Sequence, residues 1–262
     1  KLLEDTNVRF VGTATIGTDH IDTKLLTSKN ISFADAAGGN ADAVTEYVFT
    51  SIFTTAARYN IDLSGLKLGV IGAGNIGSRV TRLGKVLGLN VFANDPPLKR
   101  RTGSNDYKDL NELLDADIIT LHVPLNMGGL DNTFHLFDEK ILSSLKDGCI
   151  IINASRGEVV DNKVLNEFVL KKKFLPVLDV WENEPDINIS LLEKVILGTP
   201  HIAGYSFEGK VNGTKIIYDA LCKCLNVPPM WIPTLPEAEN NTIELTTDKK
   251  AEEFLYQIFR KI

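Results

Sequence analysis

Leu68-Gly69-Val70-Ile71-Gly72-Ala73-Gly74-Asn75-Ile76-Gly77 is the stretch that decides the fold, because an apolar run leads directly into a Gly-x-Gly-x-x-Gly pattern. The apolar run predicts a buried strand, and residues 78–87 after it predict a helix. In such a turn Gly72 allows the tight bend, Gly74 lets the backbone approach a ligand, and Gly77 lets the helix pack closely on the strand. The helix N-terminus then presents unpaired N–H groups that favour phosphate.

An acid at the end of the next predicted strand supports a dinucleotide site. Asp95 follows the strand around 90–93, where it could accept hydrogen bonds from an adenosine ribose and repel a 2′-phosphate, which favours NAD over NADP. We expect Lys99, Arg100 and Arg101 on a solvated loop, and the two arginines leave NADP open if that loop folds back. The glycines alone would fit an ordinary tight turn, but strand, helix and acid together favour NAD. The expected contacts from the turn are Gly72, Gly74, Asn75, Ile76 and Gly77.

Short apolar runs alternate with helical patterns through residues 62–204, which predicts a parallel sheet covered on both faces. The predicted strands lie at 66–71, 91–93, 118–121, 150–152 and 177–178. Residues 1–61 add strands near Phe10 and Ile31 and a long helix from about 41 to 58, with Asn40 as its N-cap. A helix is predicted over 205–229, ended by Pro228-Pro229, and a further unit with a strand at 242–245 begins after residue 230.

The composition is that of a globular protein and argues against several classes of function. Of the 262 residues 44% are hydrophobic and 24% charged, and the net charge of −6 does not favour nucleic acid. No apolar run approaches the roughly 20 residues of a membrane span, and no signal peptide is visible. The three cysteines, Cys149, Cys222 and Cys224, form neither a disulfide framework nor a zinc motif, so we expect a cytoplasmic protein without a metal. Because the chain starts at Lys1, we also expect that an N-terminal portion is missing.

Three polar segments follow predicted strands, where ligands of open α/β sheets bind. Arg156, in Asn153-Ala154-Ser155-Arg156-Gly157, could hold a carboxylate with two hydrogen bonds, and position alone equally favours a surface ion pair or a helix-capping contact. Glu184 precedes Pro185, and it could pair with His201, since a carboxylate stabilises imidazolium and raises the pKa of histidine. Position alone favours the alternatives, in which Glu182 and Glu184 are solvated charges and His201, like His122, is a core residue. His20 and His135 have no supporting context and are assigned no role.

Taken together and in this order, these segments resemble the D-2-hydroxyacid dehydrogenase family. The resemblance implies that Arg156 binds the substrate carboxylate, that Glu184 orients His201, and that His201 is the acid/base group. It further implies that Asp179 holds the nicotinamide carboxamide. Four remaining residues take their expected roles from the same resemblance: Val123 and Gly204 near the cofactor, Thr13 and Tyr205 at the substrate.

The family resemblance also implies the architecture. A Rossmann-type doubly wound parallel sheet over 62–204 would bind NAD, inserted in a smaller flavodoxin-like substrate domain of residues 1–61 and 205–232. Residues 233–262 would begin an α+β C-terminal dimerisation unit, so we expect a homodimer.

Within the family, the stretches 10–20, 179–185 and 198–210 are most similar to members that oxidise a phosphorylated 2-hydroxy acid in pyridoxal phosphate synthesis. Two alternatives remain, which are a dehydrogenase for another 2-hydroxy acid and an NADH-sensing, corepressor-like protein. The intact set of Arg156, Glu184 and His201 favours chemistry over sensing.

Overall fold

The structure, a computed structural model, describes Leu3 and residues 6–235, and it confirms the predicted α/β class. The predicted strand at 242–245 and nearly all of the predicted dimerisation unit, 233–262, lie outside the described residues. Among the helices in the described part, none has the length and apolarity that a bilayer crossing requires.

Strands and helices alternate along the chain. The strands are β1 (Phe10–Thr13), β2 (Ser32–Asp35), β3 (Lys67–Ile71), β4 (Asn90–Asn94), β5 (Ile118–Leu121), β6 (Ile150–Asn153), β7 (Leu175–Leu178) and β8 (Leu197–Gly198). The helices are α1 (Thr23–Ser28), α2 (Ala41–Tyr59), α3 (Asn75–Val86), α4 (Pro96–Thr102), α5 (Glu139–Ser144), α6 (Asn162–Lys171), α7 (Ile189–Leu192) and α8 (Phe207–Leu225).

Six strands form one parallel sheet in the order β4-β3-β5-β6-β7-β8. The chain moves outward from β3 to β4 on one side and then returns to place β5 on the other side of β3. The strand order therefore reverses at β3, and open α/β sheets bind ligands in the crevice beyond the carboxyl ends of the strands at such a point. The glycine turn that begins at Gly72 lies at this end of β3.

The core of the sheet is buried on both faces, which explains its continuous apolar strands. In β6, Ile151 packs into the cluster that includes Leu142 and Leu165, while Ile150 and Ile152 pack into the opposite cluster with residues of α2 and α3. Burying an isoleucine side chain stabilises a fold by about 1.5–3 kcal/mol. A strand covered on both sides therefore carries no polar–apolar alternation, as the sequence predicts.

The chain divides into two compact units. One holds the described residues up to Ala43 and those from Gly204 onward, and the other holds Val44–Ala203 with the six-stranded sheet. In the first unit β1 and β2 pair in parallel, and α8 packs on both strands. This packing is close, because a Cβ on Gly12 would lie 2.5 Å from Cγ2 of Ile217. The domain limits drawn from the sequence remain a prediction.

The segment after Asp95 is a helix, so the prediction of a solvated loop at Lys99, Arg100 and Arg101 is wrong. Asp95 caps α4 by accepting from Leu98 N at 2.9 Å, and the proline at the first helical position suits a helix start. The basic side chains then meet acids: Lys99 Nζ lies 2.7 Å from Asp109, and Arg100 contacts both carboxylate oxygens of Asp131 at 2.6 and 2.7 Å.

Two helix boundaries and one short strand differ from the sequence prediction. Helix α3 begins at Asn75 rather than Ser78, so the helix includes the last glycine of the turn. Helix α8 ends at Leu225, before the two prolines, because Asn226 adopts a left-handed conformation with φ 55°. Strand β8 was not predicted, since two residues are too few to form a pattern.

Candidate active site

The glycine turn after β3 has the geometry that the motif predicts. Gly72 has φ +89°, and a Cβ there would lie 2.5 Å from the carbonyl oxygen of His122 and 2.9 Å from Cγ1 of Val123. A Cβ on Gly77 would lie 1.8 Å from the oxygen of Gly72, so α3 packs tightly on the turn. A Cβ on Gly74 would meet no described atom within 4 Å, which leaves over the helix start the open space that the predicted pyrophosphate contact requires.

Asp95 is joined directly to the glycine turn. Its Oδ2 accepts a hydrogen bond from Ala73 N and its Oδ1 accepts from Leu98 N, both at 2.9 Å. Each carboxylate oxygen keeps a second lone pair, which suits a ribose hydroxyl. Arg100 is one of the two arginines that could favour NADP. Its guanidinium forms an ion pair with Asp131 instead.

Asn153 holds the loop that carries Arg156. Its side chain is fully buried at the end of β6, where Oδ1 accepts from Ser155 N and Oγ, and Nδ2 donates to the carbonyl oxygen of Arg156 at 2.9 Å. The guanidinium Nη1 donates to Ser155 O at 2.7 Å. A Cβ on Gly157 would lie 2.0 Å from the carbonyl carbon of Trp181, so the residue after Arg156 packs directly on the segment that carries Glu184.

Asp179 fixes the loop that carries His201. This carboxylate is 1% exposed, and it accepts from the hydroxyl of Thr199 at 2.6 Å and from Ile202 N and Ala203 N at 2.7 and 2.9 Å. The carbonyl oxygen of Asp179 also accepts from His201 N at 2.7 Å. The residue expected to face the nicotinamide therefore also shapes the loop around His201.

Glu184 and His201 are in direct contact. Glu184 Oε2 lies 2.9 Å from His201 Nδ1, and Oε1 accepts from Trp181 N at 2.7 Å, so the carboxylate is oriented by the backbone of its own turn. His201 has φ +58° and its side chain is 51% exposed. With Nδ1 directed at the carboxylate, Nε2 is the nitrogen that can exchange a proton with a substrate. The alternative of a core histidine at 201 is therefore wrong, while Glu184 is an exposed charge, as its alternative had it, that is also held by His201 and by the backbone of Trp181.

The three candidate segments follow neighbouring strands. Arg156 comes after β6, Glu184 after β7 and His201 after β8, and these three strands are adjacent and parallel. His122 follows β5 but has a different character, since burial lowers its pKa to about 3 and Nε2 bonds the hydroxyl of Thr120. It remains neutral near pH 7.

The other compact unit holds the remaining candidates. The hydroxyl of Thr13 lies 2.6 Å from that of Thr15, while Tyr205 is 71% exposed. The Lys210 ammonium lies 3.6 Å from the ring centroid of Tyr205 and lowers the pKa of that phenol. Gly204 packs on Asn40, because a Cβ there would lie 1.8 Å from Nδ2 of Asn40.

Two further residues of the site were not found from the sequence. The Tyr47 hydroxyl lies 2.6 Å from the hydroxyl of Thr199, which itself donates to Asp179, so a tyrosine on α2 extends the network under the His201 loop. The indole N–H of Trp181 donates to Thr199 O at 3.0 Å. These partners are 152 and 18 residues from Thr199 in sequence, and no local pattern signals them.

Tyr47→Phe is expected to remove a pH-dependent part of stability. Burial raises the pKa of Tyr47 from 10.0 to about 12, so the neutral phenol stabilises the fold below pH 10, and this contribution is lost as pH rises toward 12. The difference between the two pKa values corresponds to roughly 3 kcal/mol of stability. Urea unfolding across this range should give a smaller decline for the variant than for the wild type, and equal declines would contradict the assignment. Tyr59→Phe, at an exposed position on the same helix, is the matched control.

His135 and Glu182 also meet in the structure, whereas the sequence indicates no role for His135 and favours a solvated charge at Glu182. His135 Nε2 lies 2.5 Å from Glu182 Oε1, and the Glu182 side chain is only 17% exposed. The interpretation of Glu182 as a solvated charge is therefore wrong. The sequence carries no local pattern for this contact, because the two residues are 47 positions apart.

Comparison with known proteins points to one family. Residues 37–203 match the family model of the D-isomer specific 2-hydroxyacid dehydrogenase NAD binding domain. The chain is 46% identical over 230 residues to an erythronate-4-phosphate dehydrogenase of Photorhabdus laumondii, covering 87% of this chain and 61% of that protein. It is 41% identical over 258 residues to the erythronate-4-phosphate dehydrogenase of Bacteroides fragilis, covering 97% and 74%. The chain thus spans about three fifths to three quarters of the length of these relatives.

A solved structure shares the fold. D-lactate dehydrogenase from Aquifex aeolicus, complexed with NAD and lactic acid, superposes with a TM-score of 0.66 at 29% sequence identity, over 83% of this chain and 77% of that one. The similarity extends over most of the chain.

Proposed function

The chain belongs to the D-isomer specific 2-hydroxyacid dehydrogenase family, and from that premise we propose that it oxidises 4-phospho-D-erythronate with NAD. The products are 2-oxo-3-hydroxy-4-phosphobutanoate and NADH, in the synthesis of pyridoxal 5′-phosphate. The observation that carries the proposal is the Glu184–His201 contact within an NAD-binding domain whose relatives bear the name erythronate-4-phosphate dehydrogenase.

His201 is the proposed proton acceptor. The Glu184 carboxylate holds Nδ1–H, so Nε2 carries the lone pair that takes the proton of the C2 hydroxyl. The imidazolium that forms is stabilised by the adjacent carboxylate. In the reverse reaction the same nitrogen returns the proton to the carbonyl oxygen.

Arg156 and Asp179 are the proposed positioning groups for substrate and cofactor. The planar guanidinium of Arg156 suits two parallel hydrogen bonds to the C1 carboxylate and fixes C2 relative to His201. When bound, NAD supplies the acceptor for the hydride that leaves C2. Asp179 would accept from the nicotinamide carboxamide, Asp95 would bind the ribose hydroxyls, and Val123 and Gly204 would lie along the cofactor.

Thr13 and Tyr205 are proposed to bind the substrate away from its carboxylate. Both offer hydroxyl groups, which suit the remaining hydroxyl and phosphate oxygens of a four-carbon acid. Tyr205→Phe would test the phenol, because it keeps the ring under Lys210 and removes only the hydroxyl.

The decisive measurement is NADH formation with 4-phospho-D-erythronate against D-3-phosphoglycerate, using NAD and NADP in parallel. We expect the highest kcat/KM for the four-carbon acid with NAD. A preference for phosphoglycerate would assign another substrate of the same family. NADH binding without turnover on any 2-hydroxy acid would favour a sensor.

We further propose a cytoplasmic homodimer. Cys149, Cys222 and Cys224 are free thiols, as a reducing compartment requires, and the sequence after residue 235 resembles a family dimerisation domain. Sedimentation equilibrium of the protein would give twice the mass of the chain for a dimer, and the chain mass alone would refute it.

A further inference from the structure

His135 contacts two carboxylates with its two ring nitrogens. Nε2 lies 2.5 Å from Glu182 Oε1, and Nδ1 lies 3.5 Å from Asp161 Oδ2. The remaining carboxylate oxygens are also bonded, since Glu182 Oε2 accepts from Asn162 N at 2.8 Å and Asp161 Oδ1 accepts from Val164 N at 3.0 Å. The three side chains are 31%, 22% and 17% exposed, so water screens these contacts only in part.

The backbone of His135 reaches the Arg156 segment. His135 N donates to Glu158 O at 2.8 Å, two residues beyond Arg156, and Phe137 N continues the pairing to Val159 O at 3.0 Å. One residue therefore holds the stretch after Arg156 with its backbone and the stretch before Glu184 with its ring.

The contacted turn has several fixed points. Glu182 N donates to Asn162 Oδ1 at 3.3 Å, while Trp181 N donates to Glu184 Oε1 at 2.7 Å. Glu182 is thus held at its carboxylate and at its backbone, two residues from the group that orients His201. A shift of the turn would move the Glu184 carboxylate and, with it, the imidazole of His201.

We propose that His135 is a positioning residue that sets the Glu184–His201 pair against Arg156, through Glu182 on one side and the Glu158 backbone on the other. The inference rests on the proposed function for its kinetic consequence, while its structural consequence is independent of any substrate. In this proposal His135 acts on the reaction through the segments that carry Arg156 and Glu184, which it contacts at Glu158 and Glu182.

The same three groups could also be considered as metal ligands, because one ligand atom from each lies within 4.8 Å of the others. A single ion would need one nitrogen of the imidazole directed toward both carboxylates. Here the two nitrogens face different carboxylates, which is the geometry of a hydrogen-bonding bridge. The bridge therefore accounts for the arrangement better than an ion does.

The test compares His135→Leu with His135→Gln in kinetics and hydrogen exchange. Leucine removes both ring contacts, and we expect kcat with 4-phospho-D-erythronate to fall roughly 10- to 100-fold, since small displacements in active sites cost this much. The KM for NAD should remain within about twofold of the wild type, because the glycine turn is untouched. Glutamine keeps an N–H donor for Glu182 and should recover much of the loss.

Amide exchange of residues 181–184 should accelerate in His135→Leu and return toward the wild-type rate in His135→Gln. This measurement stands even if the wild type does not oxidise 4-phospho-D-erythronate, which separates failure of the proposal from failure of the proposed function. Lys146→Met is the matched control, because it breaks the ion pair with Asp117 before β5, at the opposite ends of the strands. It should change neither kcat nor the exchange of 181–184.

Three results would overturn the proposal. The first is an unchanged kcat together with unchanged amide exchange in His135→Leu. The second is an equal fall of kcat in His135→Leu and His135→Gln. The third is a loss of wild-type activity on chelation that Zn²⁺ restores. The last would assign the cluster to a metal instead.

Discussion

His201→Asn is expected to lower kcat by roughly 10³- to 10⁴-fold while leaving NAD binding almost unchanged. The substitution removes the nitrogen that accepts the substrate proton, and the amide of asparagine cannot replace it as a base. Asparagine tolerates the left-handed backbone at this position, where φ is +58°, so the loop should keep its course. The hydrogen bond from the backbone N–H of residue 201 to Asp179 O does not depend on the side chain.

The measurement pairs kcat from NADH formation with the Kd of NAD from calorimetry. Lys173→Asn is the matched control, because Lys173 also has φ 53°, is exposed, and precedes β7 at the far end of the strand. This control should retain full activity, which separates loss of the imidazole from any effect of asparagine in a left-handed position. If His201→Asn keeps near-normal turnover, another residue is the base and the proposed mechanism is wrong.

Much of the fold could be predicted because buried strands appear in the sequence as continuous apolar runs. The apolar runs at 118–121 and 150–152 became β5 and β6, which are covered on both faces and need no polar side chain. The glycine turn was predictable for the same reason, since Gly72 requires a positive φ and Gly77 has no room for a Cβ. These constraints act within a few residues and therefore appear in the local sequence.

The errors arose where a cap or a distant partner decides the structure. Helix α4 depends on the Asp95 cap and on acids at 109 and 131, which a run of three basic residues does not reveal. Helix α8 ends at Asn226 through backbone geometry and not through the prolines that follow.

The candidate site divides in the same way. The family resemblance identified Arg156, Glu184 and His201, and the structure adds the contact between the last two. The resemblance did not identify Thr199, Tyr47 or His135, because their roles depend on hydrogen bonds between segments far apart in sequence. Glu182 was misjudged because a charge in a loop is exposed by default, and only the fold brings an imidazole to it.

Arg156→Lys is expected to reduce kcat/KM for the 2-hydroxy acid by roughly 10²-fold. Lysine keeps the charge, but it lacks the planar pair of donors that matches a carboxylate, so C2 would no longer be fixed against His201. The loop should persist, because Asn153 Nδ2 holds the carbonyl oxygen of residue 156 whatever its side chain. The variant should bind NAD as the wild type does.

Arg156→Ala extends the same test, because it removes the charge as well as the geometry. Turnover should fall further, and guanidinium ion at low concentration should restore part of it, whereas an equal ionic strength of NaCl should not. Arg101→Lys, an exposed arginine on α4 in the same unit, controls for the exchange of side chains and should have no effect. If Arg156→Lys retains full kcat/KM, the planar pair of donors is not needed and the proposed bidentate role of Arg156 is wrong. Rescue of the alanine variant by guanidinium, together with an impaired lysine variant, would support the proposal. The two parallel N–H donors of the guanidinium, rather than charge alone, would then align C2 for proton transfer to His201.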